Sequence, residues 1–206
     1  MGRFKIKKQD TFIDMTPMSD VMVLLLTFFM LTATFVKEEP IQVQTPGSVS
    51  EIKIPEKNLL TIFVNPQGQV YMNLDSEPNM RALLDQMEST NALSGLSPEQ
   101  KSAFANCPTF GHPLNLMKSW LSPENSGKRN DLLHQPNAGI PCDSTNDELK
   151  IWVQAARDAL GDEMRIAIKA DAATPYERIK KVMSELQDMS ENRYYLITNL
   201  KTGSED

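Results

Sequence analysis

Hydrophobic positions follow three different patterns along this chain. From Pro17 to Val36 they are nearly continuous, interrupted by one charge, Asp20. A run of about 20 such residues predicts one helix over 16–36, roughly 30 Å long and matched to the hydrocarbon core of a bilayer. Leu59 to Val64 is a short apolar run that reads as a buried strand. Asn65-Pro66-Gln67-Gly68 then carries turn chemistry, and Val70 and Met72 resume as a second strand of a hairpin. Later the period becomes helical. Leu149, Trp152, Val153, Ala156 and Leu160 share one helix face, with Gly161 as the stop. Met164, Ile166, Ile168 and Ala170 alternate as a strand. Ile179, Val182, Met183, Leu186 and Met189 form the buried stripe of a further helix, and 194–200 close as a strand. Thr145-Asn146-Asp147-Glu148 and Thr174-Pro175-Tyr176-Glu177 read as capping boxes. Asp171, at a strand end, reads as a turn or capping residue.

Between the hairpin and the next long helix lies a stretch of different character, residues 75–146. It holds seven of the 13 prolines, so long regular elements are not expected there. Met80, Leu83, Leu84 and Met87 still share a face, Ser97-Pro98-Glu99-Gln100 is a capping box ahead of Phe104, and Leu114, Met117, Trp120 and Leu121 share another face. Short helices joined by irregular turns, packed on one side of the module, are predicted. Both cysteines lie here. In an oxidising compartment Cys107 and Cys142 can pair, closing a loop of about 35 residues worth about 3–4 kcal/mol; two separate thiols are the alternative.

Charge sets the direction of the apolar helix. Arg3, Lys5, Lys7 and Lys8 precede it, and Lys37, Glu38 and Glu39 follow. The positive excess puts the N-terminus in the cytoplasm and the rest outside the membrane. A cleaved signal peptide is the competing reading; acids at 10, 14 and 20 and the lack of a small-x-small site after the run count against it. The chain is acidic overall, with 21 Lys+Arg against 27 Asp+Glu, which removes the basic footprint of a nucleic-acid binder. Two Cys and two His, His112 and His134, are too few for a zinc cluster, and no Gly-rich phosphate loop, HExxH or Gly-x-Ser-x-Gly is present. No cofactor, metal or enzymatic activity is expected.

Asp20 carries the most information. A carboxylate in a membrane helix costs on the order of 2.5–3.5 kcal/mol at mid-depth, so it is retained for a function or sits near the interface. Thr16 as N-cap with Pro17 first in the helix would place Asp20 in the first turn, a favourable interfacial position. Against this, Asp20, Thr27 and Thr34 recur every seventh residue, which returns a helix to within about 20° of one face. A polar stripe led by an acid marks a face toward protein or water and a path for ions.

The run Ile13-Asp14-Met15-Thr16-Pro17-Met18-Ser19-Asp20-Val21 and its apolar continuation resemble the signature of the ExbD/TolR family. Ile41-Gln42-Val43-Gln44-Thr45-Pro46 resembles that family's first extended segment, 59–73 its strand–turn–strand, and 165–171 and 194–200 its C-terminal end. The resemblance implies an α+β protein: a basic cytoplasmic tail (1–15), a transmembrane helix (16–36), a linker with a swapped or edge strand (37–58), a two-layer periplasmic domain with helices on one face of the sheet (59–74 and 147–201) and a tail (202–206). Residues 75–146 are an insertion atypical of the family. It implies Asp20 as the proton-carrying carboxylate of an inner-membrane energising complex, with Asp14, Pro17, Thr27 and Thr34 as motif support or pore-facing residues and 41–46 as a partner-binding edge. The implied partners are a polytopic ExbB-like ring enclosing the helix, a TonB-like periplasmic protein, a second copy of the chain and membrane lipid. A TolR-like role in envelope maintenance, or a passively anchored periplasmic scaffold, are the alternatives.

Overall fold

The computed structural model describes residues 15–33, 41, 43–48, 55, 57–143, 146–197 and 199–200. The chain divides into two units, Met1–Lys37 and Glu38–Asp206.

The first unit contains α1 (Thr16–Thr32). Its N-cap is Met15 rather than Thr16, and Pro17 lies within the first two helical positions, where its missing N–H costs nothing. No acid falls in the first turn, so Asp20 stands one step deeper than the interfacial reading requires. Ala33 is extended and ends the helix before the predicted limit at 36; residues 34–36 lie outside the described residues. At 17 residues α1 is about 25 Å long. Among the described residues, no helix is long and apolar enough to cross a membrane. None of the residues of α1 is buried, although most are apolar. Leu31 is 87 % and Met30 80 % exposed. So much exposed apolar side chain on one helix marks a surface for lipid or another protein.

The second unit is built on a four-stranded sheet in the order β3-β2-β6-β7. Strands β2 (Leu59–Val64) and β3 (Val70–Leu74) form the predicted antiparallel hairpin. The Gly68 N–H closes the turn onto Asn65 O at 2.9 Å, and Gly68 takes φ +80°, the left-handed region glycine allows. β6 (Arg165–Ala170) lies parallel to β2, and β7 (Tyr194–Leu196) parallel to β6. The connections are helical: α6 (Glu148–Leu160) leads into β6, and α7 (Tyr176–Asp188) joins β6 to β7. The α6 and α7 stripes are buried at Leu149, Trp152, Val153, Val182 and Leu186, as their periodicity predicts. Gly161, at φ +63°, ends α6. The two caps differ from expectation. Asp147, not Thr145, caps α6, accepting a hydrogen bond from the Lys150 N–H, and Pro175 takes the N-cap of α7. The Thr174 hydroxyl instead donates to Val64 O at 3.4 Å, tied to the sheet rather than to its helix.

The stretch 75–146 is helical as predicted, with α2 (Glu77–Ser89), α3 (Pro98–Ala105), α4 (Leu114–Trp120) and α5 (Arg129–Leu133). The Ser97–Gln100 capping box is formed in both directions. This stretch does more than lie on one side. α2 packs along α6 in the helical layer. The chain then passes the outer edge of β3, where Met72 and Phe110 exchange backbone hydrogen bonds at 2.8 and 2.9 Å and the Ile140 N–H donates to Val70 O at 2.8 Å. It reaches the other face at Tyr71, whose hydroxyl lies 2.8 Å from Leu133 O. An unpaired strand edge leaves backbone groups unsatisfied, and the stretch supplies their partners. Two short pairings complete the unit: β4 (Cys142–Asp143) with β5 (Asn146–Asp147), antiparallel, and β1 (Gly47–Ser48) with β8 (Asn199–Leu200), parallel.

Gly111 shows how tightly this wrap is fitted. A Cβ there would lie 2.3 Å from Tyr71 Cδ1 and 3.1 Å from Tyr71 Cα. Tyr71 is fully buried and held at its hydroxyl, so it has nowhere to go. Gly111→Ala is expected to cost about 1–3 kcal/mol as overpacking. Denaturant unfolding of the full chain in detergent checks this, and an unchanged midpoint would show that the contact is soft.

Candidate functional site

The predicted site residues fall into three groups, one on α1 of the first unit and two in the second. On α1, Asp20 lies four residues past the helix start, and Thr27 follows seven residues later, about 10.5 Å along the axis. The Thr27 hydroxyl donates to Leu24 O at 2.9 Å, and that of Thr32 to Phe28 O at 2.8 Å. Both are thus satisfied within their own helix, which makes them compatible with an apolar environment. Asp14 and Thr34 lie outside the described residues.

The second group is the segment 41–46, of which Gln42 is outside the described residues. Ile41 is buried in the core of the second unit, 5 % exposed, and Thr45 is 9 % exposed. The backbone of Gln44 is held at both ends of its peptide unit. Its N–H donates to Asp171 Oδ2 at 2.9 Å, and its carbonyl accepts from the Ala172 N–H at 2.8 Å. Asp171 Oδ1 also accepts from the Ala173 N–H at 2.9 Å. Asp171 therefore fills the turn role its position suggests and also fastens this segment, a role a lone acid after a strand does not announce. Val43 is half-buried and Pro46 exposed.

The third group is the cysteine pair. Cys107, after α3, is buried, and Cys142, on β4, is half-buried. Chain exported to an oxidising compartment is expected to carry a Cys107–Cys142 disulfide, seen as faster migration on non-reducing gels. Alkylation of both thiols in unreduced, denatured protein would sink that expectation.

Several residues that tie the second unit together escaped the sequence reading. Gln69, beside the hairpin turn, donates from Nε2 to Gln135 O, Pro136 O and Ala138 O at 2.9, 3.1 and 2.7 Å. Glu148 is 7 % exposed, and its Oε2 accepts the Leu114 N–H at 2.7 Å, joining the start of α6 to α4. His112 stacks on Trp120 with ring centroids 5.2 Å apart, and burial keeps its imidazole below the usual histidine range despite an opposing backbone hydrogen bond at Gly111. Burial pushes the Tyr71 hydroxyl up to about 12. Glu185 is 8 % exposed on the inner side of α7. That one was visible in principle, since it stands three residues after Val182, inside the apolar stripe. The bonds of Gln69 and Glu148 join residues far apart in the chain, and no local pattern marks them.

Among the described residues, no cluster of three or more His, Cys, Asp or Glu is arranged to hold a metal ion. Residues 7–106 match the family model described as biopolymer transport protein ExbD/TolR. The matched range takes in α1, the β2–β3 hairpin, α2 and α3, and stops just before Cys107. No curated protein and no solved structure matches the chain.

Proposed function

With residues 7–106 making it an ExbD/TolR-family biopolymer transport protein, we propose that this chain is the proton-motive-force-coupled subunit of an inner-membrane energising complex. One observation carries the reading. Asp20 is the only charged residue of α1, a helix otherwise so apolar that it marks a surface for lipid or protein. An ionised carboxylate in such surroundings is costly, and neutralising it with a proton removes the cost. The helix is then anchored within an ExbB-like polytopic partner, with the second unit outside the membrane. A proton arriving at Asp20 lets the helix shift within the partner, and release on the other side restores the charge. Each charge crossing 100 mV supplies about 2.3 kcal/mol, so successive steps accumulate mechanical work. The second unit passes that work to a TonB-like protein, with the segment 41–46 as the part that engages a second copy or the driven partner. The complex catalyses no bond-making step.

The test is a strain lacking this chain. Loss of energised outer-membrane uptake, restored by the full chain, supports the reading. Intact uptake with a leaky envelope would move the chain to a TolR-like role. Intact uptake and envelope, with no second copy present, would sink the energiser reading altogether.

A further inference from the structure

The junction between α6 and α7 holds a group of charges that the energising reading does not use. Lys150 bridges Asp147 at 2.7 Å and Asp188 at 3.4 Å, linking the start of α6 to the end of α7. Glu185, one turn before Asp188, is the buried acid of this group. It lies in the inner stripe beside Val182 and Leu186, and its Oε2 is shielded from solvent with no hydrogen-bond partner among the described residues. Its carboxyl is within hydrogen-bonding reach of Asp147. Two carboxylates in contact repel when both are ionised, and a buried oxygen without a partner is costly when it carries charge. One proton resolves both problems, because a protonated Glu185 donates to Asp147. Asp147 is the acceptor, bridged on its other side by Lys150 at 2.7 Å.

We propose that Glu185 and Asp147 form a proton-binding site, separate from Asp20, that locks α7 to the start of α6 when the surrounding compartment is acidic and loosens the joint when it is not. The charged groups acting on Glu185 are Asp147 and Lys150 from the β5–α6 junction and Lys181 on α7 itself. β4, which also packs against α7, carries Cys142 and Asp143. Burial is the main cause that pushes Glu185 up to about 7, with the negative charge of Asp147 next; Lys150 and Lys181 oppose it. Lys150 is itself raised, chiefly by its hydrogen bond to Asp147. The folded-state value lies above the unfolded one. The stabilisation is therefore complete below about 4.5, the ordinary carboxyl value, and is lost as pH rises through about 7. The lock reaches further than two helices. Asp147 caps α6 and pairs with Cys142, and the next residue, Glu148, holds α4. A proton at this site thus steadies the contact between α7 and the 75–146 stretch.

The inference stands on the second unit alone and survives if the role of Asp20 is wrong. The test uses the full chain in detergent with 13C-labelled glutamate carboxyls, titrated from pH 4 to 9, with Glu185→Gln to assign the signal. One carboxyl titrating near pH 7 and absent from the variant is expected. Hydrogen exchange of α6 and α7, corrected for the intrinsic pH effect, should show protection falling between pH 5.5 and 8.0 in the natural chain. In Glu185→Gln protection should stay flat, because the amide donates to Asp147 at every pH. A Glu185 midpoint near 4.5, or an unchanged exchange profile in the variant, overturns the proposal. Should Glu185→Gln fail to fold, Asp147→Asn decides: a near-neutral titration that persists unshifted in that variant rejects the pairing, and a midpoint that falls supports it.

Discussion

Asp20→Asn is expected to abolish proton-driven work while leaving the protein in the membrane at normal level. The carboxamide keeps the size and shape of the side chain but cannot alternate between neutral and charged forms. If each step depends on losing and regaining a charge at this position, no step remains. The energetic reason is the one that makes the acid conspicuous: an ion costs on the order of 2.5–3.5 kcal/mol at mid-membrane, and the proton switches that cost on and off. Thr27→Val is the informative companion. The Thr27 hydroxyl already spends its hydrogen on Leu24 O, so its removal is expected to change proton uptake little. The measurement is proton uptake by the complex reconstituted in liposomes with a pH-sensitive dye, with immunoblots for this chain and its polytopic partner. Normal uptake by Asp20→Asn at normal protein level would show that the proton goes elsewhere.

Trp152→Ala should produce the largest loss of stability in the second unit. Trp152 on α6 is completely buried. Its ring stacks on Phe104 at 5.9 Å and meets Phe110 at 4.8 Å; Phe104 lies at the end of α3 and Phe110 on the edge of β3. A large aromatic removed from such a position leaves a cavity, and Trp→Ala changes cost about 3–5 kcal/mol. For a domain of this size that lowers the melting temperature by roughly 6–20 °C. Trp152→Phe separates packing from polarity. Among the described residues the indole N–H has no hydrogen-bond partner, so losing it forfeits no bond there and only the missing ring volume is felt. Thermal melting of the full chain in detergent decides. A loss under 1 kcal/mol for the alanine variant would mean that residues 75–146 are an appendage rather than part of the core.

The contrast between these two residues shows what the sequence could and could not disclose. Asp20 was legible because it violates a local pattern, a single charge in an apolar run, and a motif surrounds it. The hairpin was legible for the same kind of reason, with the turn chemistry of Asn65-Pro66-Gln67-Gly68 between two apolar runs. The α7 stripe and the Ser97–Gln100 box are also local. Trp152 was readable as core, but its partners Phe104 and Phe110 lie more than 40 residues earlier, and helical periodicity carries no information about them. The caps of α6 and α7 misled because a Thr-x-x-Glu pattern states only that a box can form. Thr174 finds a bond to Val64 on the sheet instead, and Asp147 takes the N-cap next to Glu148. Ile41 reads as part of an edge segment, yet its side chain is packed into the core of its own unit. That outcome is decided by the backbone bonds of Gln44 with Asp171 and Ala172, more than 120 residues away.

The backbone bonds of Phe110 and Ile140 to β3 have a bearing on assembly. Strand addition needs a free edge, and a sheet free at both sides can grow without limit. Here, among the described residues, the β3 side is stopped by the chain's own wrap, so a strand from another chain cannot be added there. The wrap thus acts as an end-stop: on that side the sheet is closed by its own chain, and copies cannot add strand to strand through it into a fibre.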